Sequence, residues 1–386
     1  MTATATTTRY AGPACPIPTA DYPTVQLAHG AGGSLSRMLV EKLLLPAFDN
    51  PALSVLHDGA VLAAEDLCAA AGASASPGRS TDASMATPSM AALRGGARLA
   101  VTTDSFVVKP LFFPGGDIGS LAVHGTLNDL AMCGARPVAL TVALIIEEGF
   151  AMDDLWRVVT SMRAAAAAAG VPVVTGDTKV VERGKGDGLF INTTGLGVVP
   201  AGVDVTPARA RPGDAILLSG AIAVHGMAIM SVREGLEFET RLESDSADLG
   251  PLVQRILETG GEAVHVLRDP TRGGVASALC EIADSARAGM LLDERALPVP
   301  PEVRGACELL GLDPLHVANE GKCIAIVAPE REQAILDAMR SHPSGAQAVL
   351  VGRITDRRDG RVVVRSPIGG ERILEPLSGE QLPRIC

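Results

Sequence analysis

Apolar and polar positions alternate along the chain in two rhythms. Leu35, Met38, Leu39, Lys42 and Leu43 recur at helical spacing behind the glycine-rich residues 30–33, which predicts an amphipathic helix with Ser34 as its N-cap. A short strand over ALSVLHDGAVL follows. Residues 63–97 are rich in Ala, Ser, Gly and Pro and lack a periodic apolar pattern, so they read as a mobile surface insertion with one short helix at 64–71. The strand ARLAVTTDSFVV ends near Asp104, and a helix within FFPGGDIGSLAVHGTLNDLAMCGARP is capped by Asp117 and closed by Gly134 and Pro137. A buried strand VALTVALII, a helix DDLWRVVTSMRAAAAAAG ending at Gly170, and the strands VPVVTGDTKVV and LFINTTGLGVV complete the first half.

A boundary falls near 200–212, after which DAILLSG restarts with a strand and the helix AVHGMAIMSVREG. Residues 251–260 are helical, and AVHVLRDPTRGGVASALCEIADSARAG reads as strand, loop and helix. The helices VRGACELLGL and REQAILDAMRSH and the strands NEGKCIAIVAP, AVLVGRIT and GRVVVRSP finish the pattern. EPLSGEQLPRIC is short and Pro-containing and is not expected in the core. Helices alternate with strands in both halves, which predicts α/β layering.

A length of 386 residues allows about two domains, and 47% apolar against 20% charged residues can build real cores. The net charge of −11 argues against binding nucleic acid through its phosphates. The longest apolar run, Pro137 to Ile146, is too short for a membrane span, and the N-terminal residues lack the basic start and apolar core of a signal peptide. The seven cysteines (15, 68, 133, 280, 307, 323, 386) are odd in number and form no CxxC, so a disulfide framework is not expected and a reducing cytoplasm fits. Lysine occurs only at 42, 109, 179, 185 and 322, which singles out each one.

Four aspartates lie at strand ends or within an apolar helix: Asp58, Asp104, Asp129 and Asp177. Such carboxylates are costly unless paired or bound to a cation, so together they are candidates for Mg²⁺ that carries phosphates, while each alone could equally cap a turn. Gly32 and Gly33, and Gly273 with Gly274, precede helices and could offer backbone N–H groups to phosphate, although neither cluster matches a standard nucleotide motif. Lys179 stands two residues after Asp177, as a phosphate partner or an ordinary ion pair. Glu320, between Asn319 and Lys322 before an apolar strand, is a candidate general base or a turn pair. Cys386 is the last residue, on a segment long enough to reach a cleft. Its own carboxylate raises the thiol pKa, so activation has to come from a partner or from the docked site. His29, His57, His124 and His225 show no metal-like spacing and read as structural.

TTDSFVV, FFPGGDIG, NDLAMCGA, IIEEG, VTGDTKVV, INTTG, RDPTRGGV, ANEGK and the terminal PRIC together resemble the HypE family of hydrogenase maturation proteins, from about residue 24 onward apart from 63–97. The middle motifs are shared with the wider PurM-like ATP-binding superfamily, and the terminal PRIC belongs to HypE alone. The resemblance implies a two-domain PurM-like α/β fold and a homodimer whose N-terminal domains share a β-barrel. The chain then divides into an N-terminal extension (1–23), an ATP-binding domain (24–203), a C-terminal domain (204–375) and a flexible tail (376–386). It implies a cytoplasmic enzyme, with no nucleic acid or membrane partner. A carbamoyltransferase, HypF, would load Cys386; ATP-dependent dehydration would turn the thiocarbamate into a thiocyanate; and cyanide would pass to a HypC–HypD complex.

In this scheme Cys386, Glu320 and Lys179 are catalytic. Gly32, Gly33, Asn128, Thr178, Arg272, Gly273, Gly274 and Asn319 bind ATP, and Asp58, Asp104, Asp129 and Asp177 bind Mg²⁺. The sequence departs from the family at Ala223-Val224-His225-Gly226, where an Asp usually stands at Val224, which weakens a role for that loop. Two alternatives stay open: another PurM-like enzyme such as a selenophosphate synthetase or thiamine-monophosphate kinase, and a non-catalytic scaffold that presents its C-terminal peptide.

Overall fold

The structure, a computed structural model, describes residues 33–39, 41–42, 60–63, 96–235, 242–357, 359–377, 382 and 384–386. Asp58, Gly32, the residues expected as an N-terminal extension, and nearly all of the 63–97 segment with its short helix lie outside the described residues. Two sheets carry the fold. The first has the order β1 (Ala60–Ala63), β2 (Arg98–Phe106), β7 (Leu189–Val199), β5 (Arg136–Glu147), β6 (Val173–Val181). A two-stranded ribbon, β3 (Phe112–Phe113) with β4 (Gly116–Asp117), stands beside it.

The second sheet has seven strands, in the order β14 (Glu371–Leu374), β13 (Val362–Arg365), β10 (Met290–Asp293), β12 (Val349–Ile354), β8 (Ala215–Leu218), β11 (Ile324–Val327), β9 (Val264–Arg268). The expected α/β layering is present in both halves. The short strands β10 and β14 were not foreseen, because four residues without clear alternation give too little pattern.

The second sheet is buried on both faces, and strand alternation shows how. Ile216, Leu218, Ile324 and Ile326 point into one core with helix α6 (Gly274–Ala286). Ala215, Leu217, Ala325 and Val327 point into the opposite core, packed by α5 (Gly250–Gly260) and α8 (Glu332–Arg340). The first sheet is covered on one face by α2 (Ile118–Met132), which also packs on α3 (Met152–Ala169). Strand β7 alternates buried and half-buried residues along its whole length, as one-sided cover requires.

Helix α2 is buried almost all round because it lies between that sheet, α3 and the second domain. Asp117 caps it as expected: its carboxylate accepts from the N–H of Gly119 (2.7 Å) and Ser120 (3.1 Å), and the Ser120 hydroxyl bonds back. Helix α1 (Ser34–Leu39) begins at Ser34 itself, so Ser34 is not the residue before the helix; Gly33 is. The remaining helices are α4 (Val224–Arg233) and α7 (Pro301–Leu310).

The C-terminal end corrects the expectation that it stays out of the core. Ile385 is 2% exposed and belongs to the same apolar cluster as Leu121, Leu189 and Met227. Burying an isoleucine stabilises by roughly 1.5–3 kcal/mol, which offsets part of the entropy lost on ordering the tail.

Candidate functional site

The site forms where β2, α2 and three loops of the second domain meet the tail. Alternation on β2 turns Thr102, Asp104 and Phe106 toward α2, and helical spacing presents Gly125, Thr126 and Asp129 to them. The Thr102 hydroxyl donates to Asp129 at 2.6 Å, and the Thr126 hydroxyl donates to Asp104 at 3.3 Å. Gly125 is needed for this approach: a Cβ there would lie 2.9 Å from the Phe106 ring. Both aspartates act electrostatically on Arg272, so strand, helix and the loop before α6 converge.

Glu320 is only 3% exposed, and one of its carboxyl oxygens, Oε2, has no hydrogen-bond partner. Burial pushes its pKa well above the usual carboxylate range, the charges of Asp269, Asp104 and Asp245 add to this, and Arg272 opposes it. Asp245 is raised in the same direction by burial while Lys322 holds it at 2.6 Å. Arg272 is held charged by the acidic groups around it, with Cys386 the largest influence and Asp104, Glu320 and Asp129 following. Gly273 and Gly274 begin α6 with φ of +77° and +63°. A Cβ on Gly274 would sit 2.5 Å from the Leu315 carbonyl oxygen, so glycine is required there by packing as well as by φ.

The tail brings Cys386 into this pocket. Its thiol feels Arg272, Glu320, Asp104 and Asp269, and burial pushes its pKa up to about 12. The docked pocket therefore keeps the thiol protonated and does not activate it, which removes one of the two routes to activation left open by the sequence. The end of the chain runs antiparallel to residues 107–109: Val107 N–H donates to a terminal carboxylate oxygen of Cys386 (3.2 Å) and Lys109 N–H to the Arg384 carbonyl oxygen (3.1 Å). Arg233 donates to the Arg384 carbonyl at 2.8 Å. His225 is fully buried, and its Nε2 lies 3.1 Å from the Ile385 carbonyl oxygen. That oxygen can only accept, so Nε2 carries the proton and Nδ1 accepts from Ser244 at 2.7 Å. Burial lowers the His225 pKa to about 4, which keeps the ring neutral.

Glu320, Arg272, Asp104 and Cys386 are thus brought together, with Asp129 beside them and Gly273 and Gly274 at the adjoining helix start. Asp177, Thr178 and Lys179 are not. Register links Ser105 to Asn192, Asn192 to Ala143 and Ala143 to Asp177, so three strand spacings of about 4.8 Å separate Asp177 from the Asp104 region, roughly 14 Å. All three residues are exposed, and Lys179 pairs with Asp177 at 3.3 Å. Among the described residues no three acidic, His or Cys side chains form a metal cage. Asp104 and Asp129 are nonetheless hard oxygen donors, and Mg²⁺ commonly takes one or two carboxylates with phosphates completing its shell.

Two expected ATP ligands are otherwise engaged. Asn128 is fully buried; its amide donates to Ala247 O (3.0 Å) and accepts from Leu249 N–H (2.8 Å), which fastens the 244–249 loop. Asn319 is 1% exposed and donates to Pro270 O and Val317 O while accepting from Ala223 N–H. In this structure both amides shape the pocket by holding the loops around it. Gly33 lies against the Leu377 carbonyl, which would be 2.1 Å from a Cβ, so glycine there gives room to the chain. His225, read from sequence as structural within a weakened loop, touches the tail. Arg233, Asp187 and Asp269 were not singled out, although Asp269 stands within the quoted motif RDPTRGGV.

The chain matches the AIR synthase related protein N-terminal domain over residues 80–199 and the corresponding C-terminal domain over 211–365. It is 52% identical over 364 residues to the carbamoyl dehydratase HypE of Cupriavidus necator, covering 94% of this chain and 95% of that one. The carbamoyl dehydratase HypE of Escherichia coli K12 is 44% identical, with 94% and 99% covered. Among solved structures, a HypE–HypF complex superposes with a TM-score of 0.76 at 44% identity (88% and 99% covered). HypE in complex with ATP gives 0.71 at 46% identity (94% and 100% covered). A thiamine monophosphate-bound ThiL gives 0.60 at 17% identity (88% and 95% covered), a likeness of fold alone.

Proposed function

Because the chain belongs to the HypE family of carbamoyl dehydratases, we propose that Cys386 carries the carbamoyl group and that the pocket around Glu320 removes water from it. The enzyme is an ATP-dependent carbamoyl dehydratase of hydrogenase maturation. The observation that carries the residue assignment is the pairing of a docked terminal cysteine with a buried glutamate whose Oε2 has no partner.

The chemistry balances as follows. The amide oxygen of the S-carbamoyl group attacks the γ-phosphorus of ATP, ADP leaves, and one nitrogen proton is lost. Phosphate then leaves carbon, the second nitrogen proton is taken up, and S–C≡N remains. The products are thiocyanate, ADP and phosphate, and the oxygen lost from the amide ends in the phosphate. Glu320, in its ionised form, takes the nitrogen protons one at a time and hands the first to the phosphate or to solvent before it takes the second; burial raises its proton affinity. Arg272 and the N–H groups that open α6 face the developing charge on the transferring phosphoryl group. Asp104 and Asp129 would hold Mg²⁺, which when bound neutralises charge on the phosphates.

Asp177, Thr178 and Lys179 act on the phosphates from a second subunit in this reading. The support is the open face of β6: Val174 is 58% and Val180 67% exposed, and a cleft of about 640 Å³ beside them is lined by Val142, Leu144, Met162 and Val173. A homodimer that joins two such edges closes the face and completes a barrel. The donor enzyme is of the HypF kind, as the complex of a relative supports, and a HypC–HypD pair receives the cyanide. The free thiols fit a reducing cytoplasm, and no helix among the described residues is long and apolar enough to cross a membrane.

The test is the mass of the C-terminal peptide after incubation with the carbamoyltransferase and carbamoyl phosphate, with and without ATP. A carbamoyl adduct on Cys386 that loses one water only with ATP is the expected result. An adduct that never loses water, or none at all, overturns the assignment.

A further inference from the structure

The docked tail is held by more than its apolar residue. The last two carbonyls and the terminal carboxylate each have a donor on the body of the protein: Lys109 N–H and Arg233 for Arg384, His225 for Ile385, and Val107 N–H for the Cys386 carboxylate. The Arg384 side chain is held as well. Its guanidinium bonds Asp187, its Nε donates to Val107 O at 2.9 Å, and it lies 5.9 Å from the Phe190 ring centre. Arg384 takes φ of +56°, a left-handed conformation that the surroundings must enforce on a residue other than glycine. Asp187 is held ionised by Arg384 first and Lys109 second. Arg384 and Asp187 form one wall of a notch also lined by Lys109, Phe112, Asp154 and Gly188.

We propose that the cleft reads the chain end as a peptide of defined sequence, with Asp187 the specificity-determining residue for Arg384 and with Arg233 and His225 as positioning residues that fix Cys386 beside Glu320. The peptide lies as an added strand against the continuation of β2, so main-chain bonds give affinity and the arginine notch gives register. A slip by one residue would place Ile385 in the acidic notch and take the cysteine out of the pocket. The occupant is this chain's own end, and the inference rests on the reading of Cys386 as carrier only for its consequence, not for its geometry.

The test uses the full-length, unloaded chain without ATP. Cys386 is labelled with iodoacetamide and followed by the mass of the C-terminal peptide. Arg384→Ala and Asp187→Asn should each speed labelling by about tenfold, the loss expected for one charge-assisted contact. The double variant should label no faster than the faster single, and Asp187→Glu should restore most of the protection. Both side chains are partly exposed (28% and 35%), so unfolding temperatures should stay near that of the unaltered chain. Unchanged labelling in both singles, or effects that multiply in the double, overturns the proposal. Dehydration of the carbamoylated chain is followed in parallel and should slow in the same variants with ATP affinity unchanged. If the unaltered chain never dehydrates while the protection pattern holds, the carrier reading fails and the docking proposal stands.

Discussion

The pocket around Glu320 and the outer edge of the first sheet carry motifs of the same kind, yet the fold treats them in opposite ways. NEGK and TRGG are loops that end at buried strands and helices, so Asn319, Glu320 and the two glycines are enclosed while Arg272 borders the pocket. GDTK lies on β6, a parallel edge strand paired on one side only, and eight of its nine residues are exposed. The first motif completes a chemical environment within one chain: a carboxyl pushed up by burial, a guanidinium and a thiol. The second completes nothing by itself. Its aspartate and lysine neutralise each other in water, where such a pair is worth little. An enclosed motif can be read for chemistry directly, whereas an open one has to be read together with the surface that will cover it.

That contrast breaks first if the terminal sulfur is dispensable. Cys386→Ser should abolish formation of thiocyanate altogether, read as complete loss of the ATP-dependent 18 Da change in the C-terminal peptide, about the mass of one water. Glu320→Gln should slow dehydration by roughly 10²–10⁴-fold while leaving carbamoyl loading intact, which single-turnover mass measurement separates. The same variant has a stability signature. A carboxyl whose folded pKa is raised contributes stability that is complete below about 4.5 and is lost as pH rises through the folded value. The unfolding temperature of the unaltered chain should therefore fall relative to Glu320→Gln as pH rises above that range, and a difference that shrinks instead would show the carboxyl to be ionised at no cost.

On the open edge the effects are smaller and of another kind. Val174→Arg should turn dimer into monomer by sedimentation and weaken ATP-dependent turnover about tenfold or more, with Cys386 as protected from iodoacetamide as before. Asp177→Asn should leave the unfolding temperature unchanged, because its carboxylate is fully solvated, and should weaken ATP use only in the assembled form. A loss of stability in that variant would mean that the edge is a structural element of the single chain.

Much of this was legible from order along the chain. Asp117 as a helix cap, Gly170 as the left-handed end of α3, and the alternation of β7 follow from local rules, and the structure has them. Glu320 and Asp104 were marked by residue type beside apolar strands, Cys386 by its place at the end of the chain, and Arg272 by the resemblance alone. What local pattern did not show was the distant partners of polar residues. Asn128 holds the 244–249 loop, and Asn319 ties the Pro270 and Val317 carbonyls to the start of α4. Asp187 faces a side chain 197 residues away.

By itself, then, the sequence determined the layering, the caps and the cast of reactive groups, because helix and strand periodicity, capping and the cost of burying charge act within a few residues. The tertiary structure alone decided which of those groups meet, what seats the last three residues, and that Asp177 and Lys179 stand apart from Cys386 in the single chain. Those outcomes depend on sheet register and on long-range hydrogen bonds, whose partners lie from tens to hundreds of positions apart and leave no local pattern.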